Sequence, residues 1–90
     1  SDGEYGSLVV QGLPPLTPEQ QYQLWLIRDG QRTSGAIFSV NDHGYVATLI
    51  VSPLPLSDYS AFGVTIEPAG GSPQPTGPIV LQAPLQPGNA

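Results

Sequence analysis

Apolar and polar residues alternate along short runs of this chain, and proline and glycine break the runs at close intervals. That pattern predicts an all-β domain. No stretch keeps the 3.6-residue period of an amphipathic helix. The run SLVVQG, residues 7–12, puts Leu8 and Val10 on one face and Ser7, Val9 and Gln11 on the other. Pro14, Pro15 and Pro18 then stop it, because proline donates no ladder hydrogen bond. Thr17-Pro18-Glu19-Gln20 predicts one turn, with Pro18 at a first helical position. The clearest strand is QYQLWLIRD, residues 21–29. Tyr22, Leu24 and Leu26 share one of its faces, and Gln23, Trp25 and Ile27 the other. Both faces are largely apolar, which predicts a central strand.

Asp29-Gly30 predicts a tight hairpin into SGAIFSV, residues 34–40. NDHG, residues 41–44, predicts a second hairpin into YVATLIV, residues 45–51, where Tyr45, Ala47, Leu49 and Val51 alternate with Val46, Thr48 and Ile50. Pro53 and Pro55 make the next segment an extended crossover, with Leu54 and Leu56 plugging the end of the core. AFGVTIE, residues 61–67, turns Phe62, Val64 and Ile66 inward, and PIVLQ, residues 78–82, is the last run. Six or seven short strands at this spacing predict a small antiparallel β-sandwich, Ig-like in general architecture, with a closed barrel as the alternative. The expected organisation is a flexible lead over residues 1–5, one domain over 6–82 and a tail over 83–90.

Composition narrows the function. Ninety residues make one domain with a thin core, since such a chain buries about two thirds of its unfolded surface. The chain has no cysteine, which excludes disulfides, thiol catalysis and cysteine-held zinc or iron–sulfur clusters. Charged residues make up 10% of it and the net charge is −5, with Arg28 and Arg32 the only bases. Nucleic-acid binding rests on neutralising phosphates with Lys and Arg, so this balance argues against it. It argues equally against docking to an anionic membrane surface. Without lysine there is no Schiff-base or P-loop chemistry. No apolar run approaches the ~20 residues of a transmembrane helix, and no signal peptide is visible. The topology of any longer parent stays open.

Candidate chemistry is sparse. His43, the only histidine, sits beside Asp42 in a turn, and none of Thr33, Ser34 and Ser39 stands out as a nucleophile for it, so it reads as a solvated turn residue. The acids have no metal-ligand spacing; calcium at Asp2, Glu4 and Asp42 is the nearest version of such a site. Glu67 and Asp58 are the nearest thing to a glycosidase pair, in a chain with no cleft-forming insertion. Trp25 could stack on a sugar, but its place between Leu24 and Leu26 favours a core role. Tyr22 and Tyr45 are expected to bury their rings. Arg28 is either an edge charge that discourages strand pairing or the partner of an acid such as Glu67. No catalytic, cofactor-binding or metal-binding residue is assigned.

Between two of the strands lies EPAGGSPQPTGP, residues 67–78. Gly70 and Gly71 suit a sharp turn, while Pro68, Pro73, Pro75 and Pro78 limit the entropy lost on ordering. The loop reads as a rigid brace. The Glu67 carboxylate is expected to accept hydrogen bonds from amides or hydroxyls around Gly71, Ser72 and Thr76.

YQLWLIRDGQRTSGAIFSVNDHGYV (residues 22–46), FGVTIEPAGGSPQPTGPIVL (residues 62–81) and the opening GSLVVQGLPPL (residues 6–16) resemble the C-terminal domain of the anti-sigma-K factors, the RskA type. The resemblance runs from about Gly6 to Leu81, and EPAGGSPQPTGPIV is its specific part. Its signature positions here are Tyr22, Trp25, Glu67, Pro68, Gly70, Gly71, Pro75 and Gly77. The resemblance implies the outer domain of a bacterial membrane protein that spans the membrane once. A cytoplasmic domain absent from this chain would hold an extracytoplasmic-function sigma factor, released by regulated proteolysis. A domain on the outer side of the cytoplasmic membrane that gates a site-1-type protease is the expectation. An extracytoplasmic carbohydrate- or peptide-binding module is the alternative.

Overall fold

The computed structural model describes residues 3–85. Six strands build it: β1 (Glu4–Val10), β2 (Gln20–Arg28), β3 (Gln31–Phe38), β4 (Val46–Ser52), β5 (Ala61–Pro68) and β6 (Ile79–Pro84). A 3-10 turn, Leu56–Asp58, lies in the crossover from β4 to β5. Every pairing is antiparallel. β1 and β4 form a two-stranded sheet, and the other strands form a four-stranded sheet in the order β3-β2-β5-β6. The two-sheet, all-β architecture and the central position of β2 agree with the sequence pattern.

The core lies between the sheets. Ile50 of the small sheet meets Tyr22, Leu24, Leu26, Phe38 and Val64 of the large one, and Tyr59 joins them from the crossover. Leu54 and Leu56 pack against this cluster as expected, with Phe62 and Ile66 beside them. The Tyr22 ring stacks on Phe38 with centroids 5.6 Å apart, and its hydroxyl donates to the Pro14 carbonyl at 2.5 Å. Asp29 and Gly30 both have positive φ, so β2 and β3 close as a two-residue hairpin. Thr17 to Gln20 form one turn, closed by the Gln20 amide on the Thr17 carbonyl at 3.0 Å.

Three expectations change. β3 and β4 are not a hairpin: β4 pairs with β1, register Tyr5↔Val51 to Val10↔Val46, and the chain changes sheet across residues 39–45. The Asn41 side chain organises that corner by accepting the His43 and Tyr45 amides at 2.9 and 3.0 Å. Tyr45 is 42% exposed and does not bury its ring. It falls on the solvent side of the small sheet with Ala47, Leu49 and Val51, while Val46, Thr48 and Ile50 turn inward. The strands also run further than the sequence runs suggested. Glu4 already pairs with Ser52 and its carboxylate accepts the Leu56 amide, and β6 continues to Pro84.

Candidate functional site

The outward face of the large sheet is the unusual one. Alternation sends Gln21, Gln23 and Trp25 of β2 away from the core, together with Gly63, Thr65 and Glu67 of β5, which the register sets beside them. Outward residues of a sheet normally meet water. Here Gln23, Trp25, Thr65 and Glu67 are each no more than 2% exposed. What covers them is the proline- and glycine-rich loop, residues 69–78, folded back over the sheet.

Polar contacts hold the loop down. Glu67 Oε1 accepts the hydroxyls of Ser72 at 2.8 Å and Thr76 at 2.6 Å. Glu67 Oε2 accepts the Thr65 hydroxyl at 2.6 Å and the amides of Thr76 and Gly77 at 3.0 and 3.2 Å. Thr65 Oγ1 in turn accepts the Trp25 indole N–H at 2.8 Å, so the chain of contacts runs from indole to hydroxyl to carboxylate. Gln23 pins the middle of the loop: its Oε1 accepts the Ser72 amide at 2.9 Å, and its Nε2 donates to the Ser72 carbonyl at 3.1 Å and the Ser34 hydroxyl at 2.7 Å. Gln21 Oε1 takes the Gly70 amide at 2.9 Å.

Two glycines let the backbone come this close. Gly71 has φ +86°, and a Cβ there would lie 2.5 Å from Ile37 Cδ1. A Cβ on Gly77 would lie 1.8 Å from the Ile66 carbonyl oxygen, closer than any atom pair tolerates.

Burial pushes the Glu67 carboxyl up. The Thr65 and Thr76 hydroxyls, the Thr76 amide and the Ser72 hydroxyl outweigh that and bring it down to about 2. A carboxylate so fully engaged has no free lone pair aimed at a substrate. It works as a clamp on the loop, not as a base or nucleophile.

The structure therefore gathers Trp25, Glu67, Gly71 and Gly77 at one interface, with Pro75 half-buried at its rim. Pro68 and Gly70 lie exposed in the turn leaving β5, and Tyr22 sits on the opposite face, in the core. The Glu67 contacts to Ser72 and Thr76 match the expectation. The Gly71 amide instead donates to the Pro68 carbonyl at 2.8 Å. Thr65, Gln21 and Gln23 were not singled out from the sequence. Their signal was available: polar residues spaced by two on a central strand need a cover.

Other candidates separate. Trp25 is 1% exposed, so it offers no platform for a sugar ring, and it is buried under the loop instead of joining the inter-sheet cluster. Arg28 is exposed at the end of β2 and does not pair with Glu67, whose partners are hydroxyls and amides. His43 and Asp42 are exposed in their turn. Asp58 is exposed on the 3-10 turn while Glu67 is buried, so the two do not face a common cleft. Among the described residues no three His, Asp or Glu side chains gather as a metal site; Asp2 lies outside them.

Comparison with known proteins gives a consistent answer. Residues 1–79 match the family model described as anti-sigma-K factor rskA, C-terminal. A protein of Mycolicibacterium vanbaalenii called anti-sigma-K factor RskA is 38% identical over 82 residues, covering 89% of this chain and 33% of that protein. Proteins of the same name from Mycobacterium tuberculosis and Mycobacterium ulcerans are 34% and 29% identical, covering 93% and 94% of this chain and 36% of each relative. The chain thus spans about a third of the length of the curated relatives it matches. No solved structure matches it.

Proposed function

The chain belongs to the C-terminal family of the anti-sigma-K factors, and from that membership we propose that it is the extracytoplasmic regulatory domain of a membrane-anchored anti-sigma factor. In this reading a part of the parent beyond this chain holds an extracytoplasmic-function sigma factor. The parent crosses the membrane once, and this domain controls access of a site-1-type protease to the segment that joins it to the membrane. Cleavage there starts the release of the sigma factor. The domain itself catalyses nothing.

The observation that carries the reading is the use to which the polar residues are put. The buried polar groups of the outer face, Gln23, Trp25, Thr65 and Glu67, are spent on holding the domain's own loop in place. A domain built this way acts by being folded. In a chain of 90 residues one or two kcal/mol is a large share of a stability of roughly 5–10 kcal/mol, so modest perturbation changes how often it opens. Trp25, Glu67, Pro68, Gly70, Gly71, Pro75 and Gly77 are proposed as the residues that define the family's version of this brace, with Tyr22 as the family's core position on the opposite face.

The test is made in the full-length parent. Glu67→Ala, and separately deletion of residues 6–82, should raise sigma-dependent transcription and the amount of truncated parent seen by immunoblot. Unchanged transcription and an intact parent in both variants would refute gating.

A further inference from the structure

A groove opens on the outer face of the large sheet beside the loop. The groove has a volume of ≈ 300 Å³. Its floor is Gly63, which the register places between Trp25 of β2 and Gln82 of β6. A side chain at that position would fill it, and there is room: a Cβ on Gly63 meets nothing nearer than 3.7 Å. Ile27 and Ile79 form apolar walls, Pro75 closes the loop end, and Arg32 and Gln82 supply polar groups at the rim.

The charge of this groove is opposite to that of the molecule. The chain carries seven acids and two bases. Among the described residues no acid lines the groove, and Arg32 is exposed there without a carboxylate partner. An arginine fork beside a glutamine amide is a receptor for a carboxylate. The buried Trp25 ring offers no face to a sugar, whereas the isoleucine walls suit the apolar neighbours of an acidic residue in a peptide.

We propose that the groove over Gly63 binds a peptide through one acidic side chain, with Arg32 receiving the carboxylate and Ile27 and Ile79 flanking it. The groove shares Trp25, Thr65, Pro75 and Gly77 with the brace, but the carboxylate contact at Arg32 does not depend on the gating reading.

The test is an amide-resonance titration of the 90-residue chain with acetyl-Leu-Glu-Leu-amide, its glutamine counterpart and free glutarate. The glutamate peptide is expected to shift the Gly63 amide and Trp25 indole N–H signals saturably. Binding should weaken about tenfold with the glutamine peptide and in Arg32→Gln, an exposed position that does not threaten the fold. Gly63→Val should abolish it by filling the floor. No saturable shift, or equal affinity for the two peptides, or undiminished binding in Arg32→Gln overturns the proposal. Glutarate binding as tightly as the peptide overturns the peptide assignment. None of these outcomes bears on the parent's proteolysis.

Discussion

A carboxyl group buried among hydroxyl and amide donors takes up a proton only in strongly acidic solution. For Glu67 the folded value, about 2, lies below its ordinary 4.5. The stability it contributes is therefore complete above about pH 5 and is lost as the pH falls toward 2. A shift of that size corresponds to roughly 3 kcal/mol. Urea unfolding at stepped pH should show the midpoint falling steadily below pH 5. Glu67→Gln should cost about 2 kcal/mol at neutral pH, because its NH2 group faces donors, and should flatten the acid limb. A wild-type midpoint that holds level from pH 5 to pH 2 would contradict the assignment. At this scale the sequence was informative where residue type and neighbours agree. A glutamate before proline, followed by hydroxyl residues, pointed to the acceptor. Trp25 was harder, because flanking leucines suggest the core, while strand alternation puts a residue between two leucines on the opposite side from both.

Among the elements, the loop of residues 69–78 depends on backbone proximity as much as on side chains. Gly77→Ala places its methyl group against the Ile66 carbonyl, so either the loop or β5 must move. Gly70 also has a positive φ, +90°, but open space around it. Gly70→Ala should cost about 1–2 kcal/mol of backbone strain, and Gly77→Ala more than 3 kcal/mol, with loss of hydrogen-exchange protection at the Ser72 and Thr76 amides. Thermal melts together with exchange at those two amides check the order; equal losses would show that contact distance does not govern the loop. The strands themselves were largely readable, from period-two patterning and from the Gly and Pro that bound most of them. Pairing was not. Asn41 and Gly44 give the same local signal whether the chain returns along its own sheet or turns a corner to another, and only the distant partner β1 decides between them. Tyr45 was misassigned for a related reason. The outward row of β4, Ala47, Leu49 and Val51, is wholly apolar while the inward row carries Thr48 and Ser52, so its inward face is set by register with β1 and not by composition.

At the scale of the whole molecule, two strands stand over four, and among the described residues nothing covers the outer face of the smaller sheet. Its outer face carries Tyr5, Val9, Leu49 and Val51, all more than half exposed, and neither β1 beyond Glu4 nor β4 contributes a charge. The fold class was visible in the sequence because it follows from strand count and spacing. Which sheet would be small, and which apolar rows would face water, depended on the pairing of β1 with β4 across the length of the chain. This bare face has a colloidal consequence. At neutral pH the net charge of −5 keeps copies apart. Near the isoelectric point, ≈ 4.1, that repulsion vanishes while the fold persists, and the uncharged face becomes adhesive. Turbidity should therefore peak near pH 4 and clear on either side, and Leu49→Lys should lower the peak without shifting the unfolding midpoint at pH 7. A peak of equal height in that variant would place the adhesion elsewhere on the surface.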